Sequence, residues 1–510
     1  MKSHPVSGTP AGWGPTGPGD EEIPGRGYLA AMSRLPMRST PSAPLLEGFA
    51  AIREELGIPV DFDPEVLKAA ELAVEGVSAA RPRAGADPVD RTEIEFVTID
   101  PPESMDLDQA VHIETREDGY RVHYAISDPA AFIGDGDPVN AESLRRGLTL
   151  YSPDGRTPLH PAVLSEGAAS LLPGQDRPSI LWTLDLDATG ELRAVDLRRA
   201  IVRSREKLSY RGAAAMLDTG EASRTLLLLR EVGLLRAELE RKRGGVSLNL
   251  PGQEVIHDGD CYRLVWETKV DIEDWNAQIS LLTGMAAASI MVEGGIGLLR
   301  ILPGPEPGVL GEIRHAALAL GIDWPEDMDY AERVRTLEPN IPSHASLLSQ
   351  AVRALRGADY VFFEGEIPEH STHWAIAARY AHVTAPLRRV GDRFTNEVCL
   401  ALHSGTEIPA WALEGLPRLP DILRDARRRE GSLERAMVDF VESMILADRV
   451  GEVFEATVTK AVGRGRSRIQ IPRVAVSADI EGRLEPGARI KVRLVAADPA
   501  RRTISLELVD

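Results

Sequence analysis

The sequence predicts an α+β protein in three parts: a small N-terminal helical domain, a mixed α/β central domain and a C-terminal β-barrel. Three patterns predict this arrangement. Apolar residues recur at helical spacing near the N-terminus, strand-like runs precede long amphipathic helices in the middle, and short alternating strands separated by Gly and Pro form the C-terminal part. A chain of 510 residues is long enough for two to four domains.

The composition is that of a globular protein, with 43% hydrophobic and 27% charged residues. Cys261 and Cys399 are the only cysteines, which excludes a disulfide framework and argues against a disulfide-linked partner. The sequence shows neither an unbroken apolar run of bilayer length nor a signal segment. We therefore expect a cytoplasmic protein that does not bind membranes.

Two helices are predicted near the N-terminus. Residues 1–40 are rich in Gly, Pro and Ser without an apolar period, which predicts disorder. Residues 41–92 are predicted to form a helical hairpin, whose second helix begins at Asp63-Pro64 with Asp63 as its cap. A helix-turn-helix-like contact with nucleic acid and a purely structural cap are both open, and the cap is favoured.

The rest of the chain divides at residue 450. Within 93–450, strands are predicted at 95–99, 110–114, 120–127 and 180–186, and helices at 225–239, 275–291 and 420–450. The short strands of 451–510 suit a small barrel of the oligonucleotide-binding (OB) type.

The charge distribution limits where a polyanion could bind. The chain carries a net charge of −20, but residues 451–510 contain 11 Lys and Arg against 8 Asp and Glu. A second basic stretch runs from 198 to 243. Nucleic-acid binding must therefore be confined to patches, and a protein that binds polyanions over its whole surface is excluded.

Three aspartates lie on one predicted loop between strands. Asp100 ends a strand, and Asp106 and Asp108 stand two apart before the next, so an extended backbone points both to one face. Like charges repel by about 4 kcal/mol per pair at ~4 Å and an effective dielectric of ~20. A magnesium ion would offset this repulsion, since it binds a few carboxylates and completes its shell with water and phosphate oxygens. An acidic surface turn is the alternative.

Two further segments could contact a phosphate or a base. Arg388 follows a proline-fixed turn and could offer its planar guanidinium to a phosphate, although a salt-bridged arginine at a helix start explains it as well. Tyr151 lies in a loop near Arg145 and Arg146, where an exposed aromatic ring could stack on a base. A buried tyrosine is the alternative there.

Together the three segments resemble the ribonuclease II family of exoribonucleases, whose catalytic domain is called RNB. The resemblance covers residues 93–450, with the barrel in the expected place. It is carried by Thr98-Ile99-Asp100 followed by Asp106-Leu107-Asp108, by Arg146-Gly147 with Tyr151-Ser152-Pro153 (the family's Arg-Gly-x-x-x-Tyr-x-Pro), and by Thr384-Ala385-Pro386-Leu387-Arg388 (its Thr-Ser-Pro-Ile-Arg).

The resemblance implies a ribonuclease II-type catalytic domain and an OB-fold RNA-binding barrel. It implies a hydrolytic 3′-to-5′ exoribonuclease that degrades single-stranded RNA to nucleoside 5′-monophosphates. One or two Mg²⁺ ions would be held by the catalytic residues Asp100, Asp106 and Asp108 and would activate water for in-line attack on the last phosphodiester. Arg388 would bind the RNA and stabilise charge on the phosphate, and Tyr151 would stack on the terminal base.

Two departures from the family pattern keep other functions open. Gln109 stands where the family commonly has a fourth aspartate, and residues 1–92 show no pattern of the cold-shock barrels that often begin such proteins. A catalytically weak or inert RNA-binding relative is one alternative, which a magnesium-dependent turnover assay on RNA would test. A metal-dependent phosphohydrolase acting on small molecules is the other, and it predicts no role for the barrel in RNA affinity.

Overall fold

The computed structural model describes residues 40–76, 88–248, 253–258, 261–266, 269–339, 341–463 and 465–509. The predicted disorder of residues 1–40 lies outside this range, apart from Thr40. Both predicted N-terminal helices are present, and the described chain begins with β1 (Thr40–Pro41), α1 (Ser42–Glu55) and α2 (Pro64–Gly76).

Each N-terminal helix buries its apolar face against a different part of the protein. The α1 residues Leu45 and Phe49 lie in the main hydrophobic core, where the ring of Phe49 packs edge-on against Phe440 with centroids 5.9 Å apart. The α2 residues Val66 and Ala70 lie in a separate core. A helix-turn-helix-like contact of this region with nucleic acid stays a prediction.

The central sheet lies in the first half of the described chain. Its elements and their neighbours are, in order, β2 (Val89–Asp90), β3 (Phe96–Ile99), β4 (Gln109–Arg116), β5 (Gly119–Ser127), α3 (Pro138–Arg146), β6 (Leu150–Ser152), β7 (Gly155–Thr157), β8 (Asp176–Asp187) and β9 (Leu192–Leu208). The strands predicted at 95–99, 110–114, 120–127 and 180–186 are thus confirmed as β3, β4, β5 and β8.

Five strands of this sheet close into a ring. The order is β2-β9-β3-β4-β5-β8, and β8 also pairs with β9, so β3, β4, β5, β8 and β9 each have two neighbours within the ring, and β9 also pairs with β2 outside it. Only the pairs that β9 makes with β2 and β3 are parallel. The loop from β3 to β4 therefore joins adjacent strands at one end of the ring. Sequence patterns did not predict β9, the longest of these strands.

Helices dominate the region that follows. Its elements are α4 (Tyr210–Thr219), α5 (Arg224–Lys242), β10 (Gln253–Asp258), β11 (Cys261–Trp266), α6 (Asp271–Gly294), β12 (Ile296–Ile301), α7 (Pro307–Ala319), α8 (Tyr330–Arg335), α9 (Pro342–Ala351), β13 (Asp359–Glu364), α10 (Val390–Ser404), α11 (Ala410–Gly415) and α12 (Leu419–Leu446). The helices predicted at 225–239, 275–291 and 420–450 are confirmed as α5, α6 and α12.

Within the described residues, α6 alone has the length and apolar composition of a membrane-spanning helix. Its packing identifies it as a core helix instead. Ile279 and Leu282 are buried in the main core, and a Cβ on Gly284 would lie 2.1 Å from a ring carbon of Tyr380. The helix is therefore in close contact with the segment that leads to Arg388.

The C-terminal part is the predicted small barrel. Its strands β14 (Val453–Gly463), β15 (Arg466–Ile471), β16 (Val476–Glu481), β17 (Arg489–Asp498) and β18 (Thr503–Val509) pair antiparallel in the order β16-β15-β14-β17-β18. The outer strands β16 and β18 contact each other, so the sheet is nearly closed. Phe454 and Val492 of the barrel belong to the same hydrophobic core as Leu446 of α12.

Candidate active site

The three predicted aspartates lie on the β3–β4 loop at one end of the ring. Asp100 directly follows β3, and Asp106 and Asp108 precede Gln109, the first residue of β4. The side chain of Asp106 is 8% exposed, and Asp108 is 3% exposed as a whole residue. This burial contradicts the alternative of an acidic surface turn.

Two side chains from neighbouring segments hold the loop in place. The ammonium group of Lys207 on β9 donates to the carbonyl oxygens of Pro102 and Ser104 at 2.6 and 2.5 Å. The hydroxyl of Ser170 accepts the backbone N–H of Leu107 at 3.0 Å. The backbone of the loop is therefore held from both sides.

Asp108 is bound directly by the segment that carries Arg388. Its Oδ1 accepts the backbone N–H of Leu387 at 2.8 Å, and its Oδ2 lies 3.3 Å from Nε of Arg388. Burial is the largest influence on the pKa of Asp108, which it raises to about 7 although Arg388 opposes the shift. Burial likewise raises the pKa of Asp100 to about 6, and the negative charge of Asp106 adds to both shifts.

Backbone pairing brings the Arg388 segment beside the segment that leads to Tyr151. The N–H of Thr149 donates to the carbonyl oxygen of Arg388, and the N–H of Val390 donates to that of Gly147, both at 3.0 Å. Gly147 has a φ of +76°, and a Cβ there would lie 2.7 Å from Cβ of Ala426 on α12. This position requires glycine both for its backbone conformation and for the close approach of the helix.

Tyr151 stands exposed at the edge of the carboxylate cluster. It lies on β6 opposite Arg156 of β7, and 52% of its surface is accessible, which contradicts the alternative of a buried tyrosine. Its hydroxyl lies 3.5 Å from Oδ2 of Asp106. The structure thus brings the predicted residues Asp106, Asp108, Arg388 and Tyr151 together.

The two arginines that precede Tyr151 in the sequence are not its basic neighbours, and that expectation was wrong. Arg146 is buried, where it pairs with Glu142 and stacks on Phe62 with its guanidinium carbon 3.7 Å from the ring centroid. Arg145 pairs with the same glutamate. Both belong to the end of α3, and Arg146 also donates to the carbonyl oxygens of Asp61 and Pro158. The positive charges that act on Tyr151 are Arg388 and Arg156.

Arg156 binds two acidic side chains at once. One amino group pairs with Oδ1 of Asp106, and the other lies 2.8 Å from Oε1 of Glu166. The sequence analysis missed this residue. The run Pro153-Asp154-Gly155 is a turn signal that predicts a tight hairpin, and such a hairpin places Arg156 opposite Tyr151.

Gln109 uses its side-chain amide to connect the ring to the Arg388 segment. Its Oε1 accepts the hydroxyl of Tyr124 at 2.7 Å, and its Nε2 donates to the carbonyl oxygen of Thr384 at 2.6 Å. Gln109 stands where the family commonly has an aspartate, and both polar atoms of its side chain are hydrogen-bonded to other protein groups.

A bound divalent ion fits the chemistry of this site. Asp100, Asp106 and Asp108 offer the hard carboxylate oxygens that magnesium prefers, and burial raises the pKa values of Asp100 and Asp108. As the side chains stand, no group of three His, Cys, Asp or Glu among the described residues is gathered closely enough to hold an ion. Arg156 and Arg388 instead occupy oxygens of Asp106 and Asp108.

Several arginines of the basic stretch 198–243 are paired with acidic side chains. Arg199 is largely buried between Asp128 and Glu397. Exposed arginines of this stretch also pair with nearby acids: Arg198 with Asp196, Arg203 with Asp176, and Arg241 with Glu238. Among the members of this stretch, Lys207 acts on the carboxylate loop itself.

Glu430 on α12 is a further acidic group near the site that the sequence analysis missed. Burial raises its pKa, while the charges of Arg427, Arg388 and Arg389 lower it. A single glutamate on a long charged helix gives no sequence signal that would single it out.

Comparison with known families gives two matches along the chain. The RNB domain matches residues 89–402, and the RNase II-type exonuclease C-terminal S1 domain matches residues 452–509. The carboxylate loop, Gln109, Tyr151, Arg156 and Arg388 all fall within the first match.

Individual relatives agree with these family matches. Ribonuclease R of Escherichia coli strain K12 is 26% identical over 427 residues, which cover 78% of this chain and 52% of the relative, so the chain spans about half the length of that protein. Mycoplasma genitalium RNase R in complex with ribose-methylated single-stranded RNA is a structural match with a TM-score of 0.81 and 19% identity, covering 92% of this chain and 78% of the other. Yeast Ssd1, a pseudonuclease, matches with a TM-score of 0.65 and 15% identity, covering 90% and 58%.

Proposed function

The chain belongs to the RNB-domain family, and from this membership we propose that it is a hydrolytic 3′-to-5′ exoribonuclease. It degrades single-stranded RNA to nucleoside 5′-monophosphates and depends on magnesium. The observation that carries the proposal is the convergence of three distant segments: Asp108 binds Arg388 and Leu387, and Tyr151 stands beside Asp106. An acidic cluster, a phosphate-binding cation and an aromatic platform are thus adjacent.

Asp100, Asp106 and Asp108 are the residues that would hold one or two magnesium ions. RNB nucleases generally depend on divalent metals. When bound, the metal would supply an activated water and positive charge against the phosphoryl oxygens. The three carboxylates would hold the metal at one end of the ring, where Lys207 and Ser170 fix their loop.

Arg388 would bind the scissile phosphate. Asp108 holds one edge of its guanidinium through Nε, and the side chain remains 41% exposed. The planar group can therefore be oriented by the protein and still receive a phosphate. Its positive charge would stabilise the negative charge that develops on the phosphoryl oxygens during attack.

Tyr151 would stack on the base of the terminal nucleotide. Its exposed ring lies next to the carboxylate cluster, so a base stacked there places its own phosphate near Arg388. The barrel, residues 451–510, would bind RNA farther from the cleaved end, and residues 93–450 would form the catalytic domain. The similar ribonuclease R of Escherichia coli is a bacterial protein. We place this chain in the cytoplasm.

A catalytically inert RNA-binding relative is the second candidate, and Gln109 favours it. A neutral residue at this position adds no charge to the cluster, and its amide is already bonded to Tyr124 and Thr384. The structurally similar yeast Ssd1 is described as a pseudonuclease, so this fold accommodates proteins without catalysis.

Product chromatography on RNA labelled at its 3′ end distinguishes these functions. The proposed exonuclease releases labelled nucleoside 5′-monophosphate first, only when magnesium is present, and never a labelled oligomer. RNA that stays intact in the presence of magnesium while still binding the protein would establish the inert relative. Hydrolysis of nucleotide monoesters without shortening of RNA would identify a small-molecule phosphohydrolase.

A further inference from the structure

Arg156 lies between one of the proposed metal ligands and a second carboxylate. Its two amino groups contact Asp106 and Glu166. The side chains of Arg156, Asp106 and Glu166 are 20%, 8% and 30% exposed, respectively. The guanidinium is therefore largely removed from water and can exchange one carboxylate for the other by a small movement.

A metal ion and Arg156 need the same oxygen atoms. As the side chains stand, the described acids do not form a group that could hold an ion, and Arg156 pairs with Oδ1 of Asp106. A cation that leaves Asp106 must find another partner, because an unpaired charge in a poorly hydrated site is costly. Glu166 already provides that partner.

We propose that Arg156 is an internal competitor for the metal site: it pairs with Asp106 when no ion is bound and is taken over by Glu166 when an ion occupies Asp106. This inference rests on the magnesium site of the proposed function. The pair Arg156–Glu166 then sets the metal affinity of the site without contacting the ion. Because Arg156 lies opposite Tyr151 on the β6–β7 hairpin, its exchange also changes the charge beside the aromatic platform.

The exchange makes opposite predictions for the loss of Arg156 and for the loss of Glu166. Arg156→Gln removes the competitor, so we expect magnesium to bind about tenfold more tightly, a change of about 1.4 kcal/mol. Glu166→Gln removes the second partner and leaves Arg156 on Asp106 alone, so we expect magnesium to bind several-fold more weakly. In the double variant the loss of Glu166 should have no further effect, because no arginine is left to be moved.

Isothermal titration with magnesium chloride, in the absence of RNA, measures these affinities directly. The series is the wild-type protein, Arg156→Gln, Glu166→Gln, the double variant and Asp108→Asn, each checked for folding by a thermal melt. Arg121→Gln is the matched control, because Arg121 makes a comparable pair with Asp185 on the same sheet, with Nε and Oδ1 2.6 Å apart. The control should bind magnesium as the wild type does.

The double variant separates exchange from simple electrostatics. If Glu166 acted only through its negative charge, Glu166→Gln would weaken binding equally with and without Arg156, and the inference would be overturned. An affinity of Arg156→Gln equal to that of the wild type would overturn it as well, and Glu166→Gln tests the inference if Arg156→Gln does not fold. Wild-type protein that binds no magnesium, like Asp108→Asn, would instead refute the metal site of the proposed function.

Discussion

The carboxylate end of the ring and the C-terminal barrel both depend on ion pairs, but the pairs differ in kind. Asp108 is buried and receives its backbone partner Leu387 from 279 residues away. Arg468 is exposed and pairs with Asp479 on the neighbouring strand, only 11 residues away. The charges of the site thus fix the relative positions of distant segments, whereas this pair of the barrel joins neighbouring strands at the surface, where water can replace it.

This difference predicts how each region responds to the loss of one charge. Removing one member of a buried ion pair strongly destabilises the folded protein, because water cannot replace the interaction that the remaining charge has lost. An exposed partner returns to water at little cost, since surface pairs contribute about 0–1 kcal/mol. Substitutions at the ring should therefore change chemistry or folding, and substitutions on the barrel should change long-range attraction for RNA.

Asp108→Asn should have the largest effect. We expect the hydrolysis rate to fall at least about 1,000-fold, equivalent to about 4 kcal/mol of transition-state stabilisation, with RNA affinity nearly unchanged. The substitution removes a metal-binding charge but leaves an oxygen that can still accept the N–H of Leu387. Single-turnover cleavage at saturating magnesium and RNA binding by anisotropy measure the two quantities.

Asp185→Asn is the matched control for this variant. Asp185 pairs with Arg121 on the ring but is partly exposed and is not one of the proposed metal ligands. Loss of the Asp185 charge should leave the cleavage rate within about twofold of the wild-type rate, as expected for a surface pair. Equal rates for Asp108→Asn and the wild type would show that the buried carboxylate has no catalytic role and that the contrast between the regions is false.

Gln109→Asp should destabilise the fold by about 2 kcal/mol. The substitution removes the donor that Nε2 supplies to the carbonyl oxygen of Thr384 at 2.6 Å and places a negative charge in that polar contact. Chemical denaturation measures the loss. Gln109→Asn serves as the control, because asparagine is as short as aspartate but keeps the amide. This variant should lose less free energy of unfolding than Gln109→Asp.

The opposite result for Gln109→Asp would also be informative. If the variant were as stable as the wild type and needed less magnesium for half-maximal cleavage, Gln109 would face the metal. The bonds to Tyr124 and Thr384 would then not be its main role.

The buried histidine next to the Arg388 segment should make the protein less stable in acid. Burial lowers the pKa of His160 to about 3, and its Nε2 lies 3.4 Å from the carbonyl oxygen of Pro386. In the unfolded chain its pKa is about 6.5, so below that pH the unfolded state binds a proton that the folded state refuses. His160 should therefore lower the free energy of unfolding by about 2 kcal/mol between pH 7 and pH 5.

Urea denaturation at pH 7 and pH 5 tests this expectation. In His160→Asn the loss of stability between the two pH values should be smaller by about 2 kcal/mol. An identical loss in the variant and the wild type would show that His160 is protonated in the folded protein and that the site is better hydrated than its burial indicates.

The smallest effect is expected on the barrel. Arg489 and Lys491 of β17 are exposed, and replacing both by Gln should weaken binding of long RNA only several-fold, without changing cleavage of short oligomers. The slope of log affinity against log salt should fall by about one for each lost phosphate contact. Arg493→Gln is the control, because Arg493 on the same strand is already neutralised by Glu507, so it should change the slope less.

Point substitutions are a cleaner test than deletion of the barrel, because the hydrophobic core of the barrel is shared with the rest of the protein. Phe454 and Val492 pack in the same core as Leu446, so removal of residues 451–510 would expose apolar surface as well as remove charge. An unchanged salt slope in the Arg489 and Lys491 variant would show that these cations do not contact RNA.

Local patterns were sufficient to predict much of the fold and part of the site. Alternating apolar residues predicted β3, β4, β5 and β8, and helical spacing predicted α5, α6 and α12. The same patterns did not predict β9, because its polar and charged residues alternate less clearly and its partners β3 and β8 lie elsewhere in the chain.

The site residues likewise divide into those that local sequence predicted and those that it did not. Asp108, Arg388 and Tyr151 stand in short segments whose composition indicates their chemistry, so they could be proposed before their contacts were known. Arg146 was misassigned and Arg156 was missed because nearness in sequence does not determine side-chain direction. A helix end points Arg146 into the protein, whereas a hairpin returns Arg156 to the carboxylates.

The closed ring also determines when the site can form during synthesis of the chain. The N–H of Asp100 donates to the carbonyl oxygen of Leu208, so the carboxylate loop cannot be fixed before β9 has been made. Asp108 must then wait for Leu387 and Arg388, which leave the ribosome 279 or more residues later. Under the proposed function, a chain built in this order has no complete site until most of it has been translated, so before that point the nascent chain would not cleave the messenger RNA that encodes it.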